Sequence, residues 1–238
     1  MPKLHCKRSE YLEKGRRIAK IFASLYALVL IYIIWAVFVK NAETMDTIPG
    51  IVAVVFLFGP LAWFVYKRYR KEKETEGNYQ RGLKGEGAIY YELKKLKGDF
   101  VVFQDIKLGG GNVDFIVIGL NGIFIIEVKS MRGDISFSEE RLFCNEKEIE
   151  KDMLSQTLKE ALSVRDFLKD ETNNEFFVHP ILVFSSIFAR VAFGLRPVKS
   201  GVYVVQKRFL RKLIYSINNN ISKDDVNNIE SSLMKIWK

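Results

Sequence analysis

Residues Asn112–Ser130 read NVDFIVIGLNGIFIIEVKS. Two apolar runs flank Asn121-Gly122, the strongest short-range hairpin signal, because a tight turn matching strand twist favours residues that accept positive φ. With Asn121 and Gly122 as the loop, Leu120 pairs with Ile123, Ile118 with Ile125, Ile116 with Glu127 and Asp114 with Lys129. Opposed residues share a face of a sheet. Asp114, Glu127 and Lys129 are therefore expected on one face. Asp114 and Lys129 would stand about 5 Å apart between Cβ atoms, and Asp114 and Glu127 about 7–8 Å on the diagonal. Ile116, Ile118, Ile123 and Ile125 lie on that face, with Phe115, Val117, Phe124, Ile126 and Val128 on the other. A ribbon apolar on both sides belongs in the middle of a covered sheet.

Two carboxylates and an amine at the edge of such a core are costly to bury without partners. A divalent cation resolves this. Asp114 and Glu127, with the Val128 carbonyl, offer hard oxygens suited to Mg2+ or Mn2+ and leave positions for water and phosphate. Asp114 and Glu127 are the expected metal ligands. Such an ion neutralises charge developing on phosphorus, while Lys129 orients or helps deprotonate the attacking water. The competing structural reading has Glu127 and Lys129 simply ending a strand, paired with each other or with Asp114.

Outward from this ribbon the pattern is mixed. Leu83–Leu96 has helical spacing, with Leu83, Glu86, Ile89 and Leu93 on one stripe. Strands are expected at Phe100–Ile106, Val113–Gly119, Gly122–Lys129, Val178–Phe184 and Val202–Val205, with weaker ones at Asp134–Phe137 and Arg141–Cys144. Helices are expected over Asp152–Lys169, Lys207–Ile217 and Lys223–Trp237, the last capped by Ser222 with Asp224 and Asp225 in its first turn. Helix, three-strand meander, helix, strand is an α/β arrangement with one sheet covered on both faces.

Gly82-Leu-Lys-Gly-Glu86 opening a helix, Val113-Asp114 before an apolar strand, and Gly122-Ile-Phe-Ile-Ile-Glu127-Val-Lys129 together resemble the nuclease-related domain (NERD) family of the PD-(D/E)XK superfamily. The likeness runs from about Gly82 to Phe184. It implies a restriction-endonuclease-like core, a central mixed β-sheet with helices on both faces. It also implies metal-dependent hydrolysis of DNA or RNA with Asp114 and Glu127 as metal ligands and Lys129 as the catalytic lysine. Glu86 corresponds to the acid of the first helix and Gln156 to the glutamine of the second. Gln156 lies off the stripe of Leu154, Leu158, Ala161 and Leu168, and Asp152-Met153 stands where the family's Asn-Pro is expected. A second reading keeps the fold without cleavage, as a membrane-tethered nucleic-acid-binding or scaffold module.

Residues 21–39 and 48–66 are uncharged, apolar all round and close to the ~20 residues that cross a bilayer. Trp35, Trp63 and Tyr66 sit toward their ends, and Pro60 is placed to kink the second. Basic residues crowd residues 1–20 and 67–81, with few between the spans. The positive-inside rule then puts both termini and residues 82–238 in the cytosol, behind a two-helix transmembrane hairpin in the cell membrane. Residues 67–81 read as a basic linker beside the lipid bilayer.

The chain has 238 residues and a formal charge of +9, but these two flanks hold most of the excess, so overall basicity is no evidence for nucleic-acid binding. Cys6, Cys144, His5 and His179 are too few and scattered for a zinc site or a disulfide framework, and they disfavour a histidine general base. Gly109-Gly-Gly111 lacks the Lys-Ser/Thr of a phosphate-binding loop. The acid-free stretch 176–223 carries Arg190, Arg196, Lys199, Lys207, Arg208 and Arg211, the best candidates for phosphate contacts. Phe188 and Phe193 within it have the ring faces to stack on bases, but core packing is the expectation for both.

Overall fold

The computed structural model describes residues 2–5, 80–109, 111–198 and 200–237, with isolated positions 31, 63, 67, 70 and 77. The chain divides into two units, Met1–Lys7 with Asn78–Lys238, and Arg8–Gly77. Apart from positions 31 and 63, the apolar segments 21–39 and 48–66 lie outside the described residues. Among the described residues no helix is long and apolar enough to cross a membrane.

The first unit is built on a six-stranded sheet. Its strands are β1 (Lys3–His5), β2 (Val101–Leu108), β3 (Gly111–Gly119), β4 (Gly122–Lys129), β8 (Val178–Phe184) and β10 (Tyr203–Gln206), adjacent in that order. The meander β2–β3–β4 is antiparallel, whereas β1 joins β2, β8 joins β4 and β10 joins β8 in parallel. The expected mixed sheet is present, with β3 and β4 in its interior. Four helices cover it: α1 (residues 80–93), α2 (Met153–Thr172), α3 (Lys207–Ser216) and α4 (Lys223–Ile236). Strand parity sorts the core. Phe115, Val117, Phe124 and Ile126 pack with Ile89 and Leu93 of α1 and Leu210, Leu213 and Ile214 of α3. Ile116, Ile118, Ile123 and Ile125 pack with Ala161, Val164 and Leu168 of α2 and Ile229 and Leu233 of α4.

Three features depart from expectation. The weaker strands form a separate four-stranded sheet rather than extending the first: β5 (Gly133–Ser138), β6 (Arg141–Cys144), β7 (Lys147–Glu148) and β9 (Ala189–Val191), in the order β7-β6-β5-β9. Its apolar side, Ile135 and Leu142, packs with Met153 and Leu154 of α2 and with Leu182 and Phe184 of β8. Lys3–His5, read from sequence only as part of a basic tail, forms an edge strand whose Lys3 pairs with Glu230 of α4.

The hairpin turn is also displaced by one residue. Gly119 pairs with Gly122, leaving Leu120-Asn121 as the loop, and Ile118 faces Ile123 rather than Ile125. The turn is held by groups distant in sequence. Asn121 Nδ2 donates to the carbonyls of Ile214 and Ile217 at the end of α3, and the Asn219 and Ile221 amides donate to the Asn121 and Leu120 carbonyls. Those four bonds outweigh the local preference of Asn-Gly for the loop. Gly119 fits beneath the Phe100 ring, where a Cβ would lie 2.5 Å from a ring carbon. Moving the turn this way preserves parity, so every side chain keeps its face.

Candidate active site

At the far end of the hairpin the paired register stops at Phe115–Ile126, so Asp114 is not paired with Lys129; it lies just beyond the last pair, within reach of the charges of Glu127 and Lys129. The ladder opens there. The Val128 amide donates to Asp114 Oδ2 at 2.8 Å instead of to a strand carbonyl. Glu127 lies in the core at 3 % exposure. Its Oε1 accepts from Lys129 Nζ and, at 2.8 Å, from Gln156 Nε2 of α2; its Oε2 is buried with no hydrogen-bond partner. Gln156 flanks the buried stripe of α2 rather than standing on it, and its side chain reaches Glu127 from there.

Glu86 comes to the same place from the opposite face of the sheet. Gly85 makes this possible: a Cβ there would lie 2.6 Å from Ser185 Oγ and 3.3 Å from Ser130 Cβ. The start of α1 can thus lie against the ends of β4 and β8. Those ends are locked together, the Ser185 amide donating to the Lys129 carbonyl at 2.9 Å. The carboxyl of Glu86 feels the charges of Asp105, Glu127 and Lys129 there. All five residues singled out from sequence, Glu86, Asp114, Glu127, Lys129 and Gln156, meet at one end of the sheet.

Two further acids belong to this cluster. Glu160 lies one helical turn beyond Gln156, is 8 % exposed and accepts from Gln156 Nε2 at 2.8 Å. Its Oε2 is buried without a partner, as is Gln156 Oε1. The i, i+4 spacing from Gln156 is the sequence signal that would have found it. Asp105 of β2 lies between Gln104 and Ile106, whose partners flank Asp114. Its φ of +60° is a costly conformation within a strand, and its side chain accepts from Asn112 Nδ2 at 2.7 Å.

The electrostatics follow from crowding acids where water is scarce. Burial, then the neighbouring Glu127 charge, pushes the Asp114 carboxyl up to about 8. Burial and Glu127 likewise push Glu160 up to about 7. Burial, Asp105 and Glu127 raise Glu86. Lys129 offsets only part of this charge. Among the described residues no group of three or more His, Cys, Asp or Glu side chains is arranged to hold a metal ion by itself. What the cluster offers is two carboxylates, Asp114 and Glu127, one of them with an orphaned oxygen. That fits Mg2+, which usually takes one or two protein carboxylates and fills its remaining positions with water and phosphate.

The basic candidates are dispersed. Arg190 on β9 is paired through two nitrogens with Asp134 of β5. Lys207, Arg208 and Arg211 are on α3, which packs on the face opposite Glu127. Arg211 pairs with Glu92 at 3.0 Å, and Arg208 stacks on Phe209. Arg196 is exposed in the connection to β10, and Lys199 lies outside the described residues.

Residues 81–185 match the family model described as nuclease-related domain, NERD, consistent with the PD-(D/E)XK-like nuclease superfamily. The matched stretch runs from α1 through β8, and so contains Glu86, Asp114, Glu127, Lys129, Gln156 and Glu160. Comparisons with curated proteins and with solved structures gave no match. The family's description points to a nuclease-related function for this stretch.

Two outcomes are expected. An acid whose folded value is raised keeps its proton where the unfolded chain has released it, so stability falls as pH rises between the two values. For Asp114 that window runs from 3.8 to about 8. Without divalent metal, calorimetry should show a melting temperature lower by on the order of a few degrees at the top of this window than near its foot. Asp114→Asn should flatten the slope, and an unchanged slope would count against the buried-acid description. Gly85→Val should push α1 off Ser185 and Ser130, cutting whatever activity the site has by on the order of 100-fold through displacement of Glu86. The far-ultraviolet circular dichroism spectrum should remain that of the parent.

Proposed function

We propose that this protein is a membrane-anchored nuclease that hydrolyses phosphodiester bonds of DNA or RNA with Mg2+ or Mn2+. The observation that carries this reading is the orphaned, buried Oε2 of Glu127 beside Asp114, with Lys129 next to both. Asp114 and Glu127 would hold the ion, which when bound would supply positive charge for the phosphate oxygens and acidify a water. Lys129 is in reach of Glu127 Oε1, from where its ammonium can orient the attacking water by donating to it. Gln156 steadies Glu127 by donating to the same oxygen, which leaves Oε2 for the ion. Glu86 approaches from the other face and places a third carboxyl beside the pair.

Membrane anchoring rests on the two uncharged segments and their basic flanks. The pairing of β1 with β2, which joins residues 1–7 and 78–238 in one unit, is compatible with a two-span hairpin between them.

The full chain in detergent, given labelled DNA and RNA with Mg2+ or Mn2+, is expected to cut at least one of them. Glu127→Ala and Lys129→Ala should each lower the rate by on the order of 100-fold or more. Cleavage at the parent rate in both variants would falsify these roles. Binding without cleavage under every metal condition would favour the non-cleaving module. Separately, the parent should sediment with membranes and resist extraction by alkaline carbonate, whereas deletion of residues 21–66 should release it. Release of the parent by carbonate would end the anchoring claim.

A further inference from the structure

Beyond Lys129 the chain leaving β4 and the chain leaving β8 stay together for several residues. The Ser185 amide donates to the Lys129 carbonyl, and further out the Gly133 amide donates to the Phe188 carbonyl at 3.1 Å. Between these two bonds the β4 side carries Arg132, and the β8 side carries Ile187 and Phe188. The guanidinium of Arg132 lies over the Phe188 ring, 5.3 Å from its centre. The sequence favours burial for Phe188, yet it is 61 % exposed and Ile187 is 72 % exposed.

The backbone here is well tied. Cys144 Sγ donates to the Arg132 carbonyl at 3.2 Å, and the Phe188 amide donates to Ser186 Oγ at 3.2 Å. An aromatic ring held out to solvent on a secured turn, with a planar cation on it, forgoes burial that a core position would have given. Arg132 is three residues past Lys129, on the order of 10 Å at the rise of an extended chain. That is the reach of a few nucleotides along a strand.

We propose that Phe188 and Arg132 form a stacking platform for an unpaired base next to the phosphate presented to Lys129, so that the substrate is a single strand or a frayed end. This inference rests on the nuclease reading above. In a duplex each base is already stacked and paired, and its face is closed to a side chain. In a single strand the base face is open, and both an aromatic ring and a guanidinium can cover it whatever the sequence.

The test uses the full chain in detergent with the divalent metal chelated, and reads fluorescence anisotropy of a labelled oligothymidylate and of a labelled duplex. Phe188→Ala should weaken oligothymidylate binding by about tenfold or more, while Phe188→Trp retains it and duplex binding stays unchanged. Arg132→Ala should weaken it too and reduce its salt dependence. Oligothymidylate affinity within about twofold of the parent in Phe188→Ala overturns the platform, as does an equal loss for the duplex. So does a loss confined to binding of phosphatidylserine vesicles, which would assign the turn to lipid. If the parent binds oligothymidylate through Phe188 but never cleaves with Mg2+ or Mn2+, the catalytic reading fails and the platform stands. If it cleaves and Phe188→Ala changes nothing, only the platform fails. A parent that binds no nucleic acid overturns both.

Discussion

Asp114 and Glu127 lie on adjacent interior strands, each within reach of the other's charge, and their neighbours on the same face are isoleucines packed under helices. Water is scarce there and their mutual repulsion is poorly screened. One backbone amide, one ammonium and one side-chain amide are directed at them. These donors leave Glu127 Oε2 without a donor, and the neighbouring Glu160 carboxyl can bond to Glu127 only when one of the two is protonated. A fold that buries such a pair must supply either protons or a cation. The rest of this end of the molecule is arranged around that constraint.

The arrangement depends on where strands end rather than on any single loop. β4 and β8 run parallel and finish level, with Lys129 paired to Phe184. Helices on opposite faces can therefore both reach the same edge. α2 brings Gln156 and Glu160 to Glu127 along one face. α1 brings Glu86 over the rim from the other, at a point where glycine alone lets the helix sit so low. The acids added by tertiary packing make the centre more negative than the Asp114–Glu127 pair alone. Lys129 is the single cation bonded within the pair, and its hydrogen bond to Glu127 is the local answer to that excess.

Positive charge elsewhere is largely occupied or averted. Arg190 is clamped by Asp134 and Arg211 by Glu92, so neither is a bare phosphate ligand. Arg132 differs: its guanidinium lies on an aromatic ring close to the strand end that carries Lys129. The contrast shows why an acid-free stretch of sequence is a weak guide to an electropositive surface. The neutralising acids, Glu92 and Asp134, come from segments far away along the chain.

What the residues determined by themselves is the alternation along Asn112–Ser130, and with it the shared face of Asp114, Glu127 and Lys129. Strand parity has a period of two and survives the one-residue displacement of the turn. The helix and strand boundaries near Asp152, Ser222 and Phe184 were legible for a similar reason, since caps and apolar runs act within a few residues. Only the tertiary structure decided which residues form the turn, because α3 and the segment after it captured Asn121 and Leu120 with long-range hydrogen bonds. It also decided the second sheet, the strand at Lys3–His5, the entry of Glu160 and Asp105 into the centre, and the exposure of Phe188. Each of these depends on segments far apart in sequence meeting in space, and no local spacing encodes that.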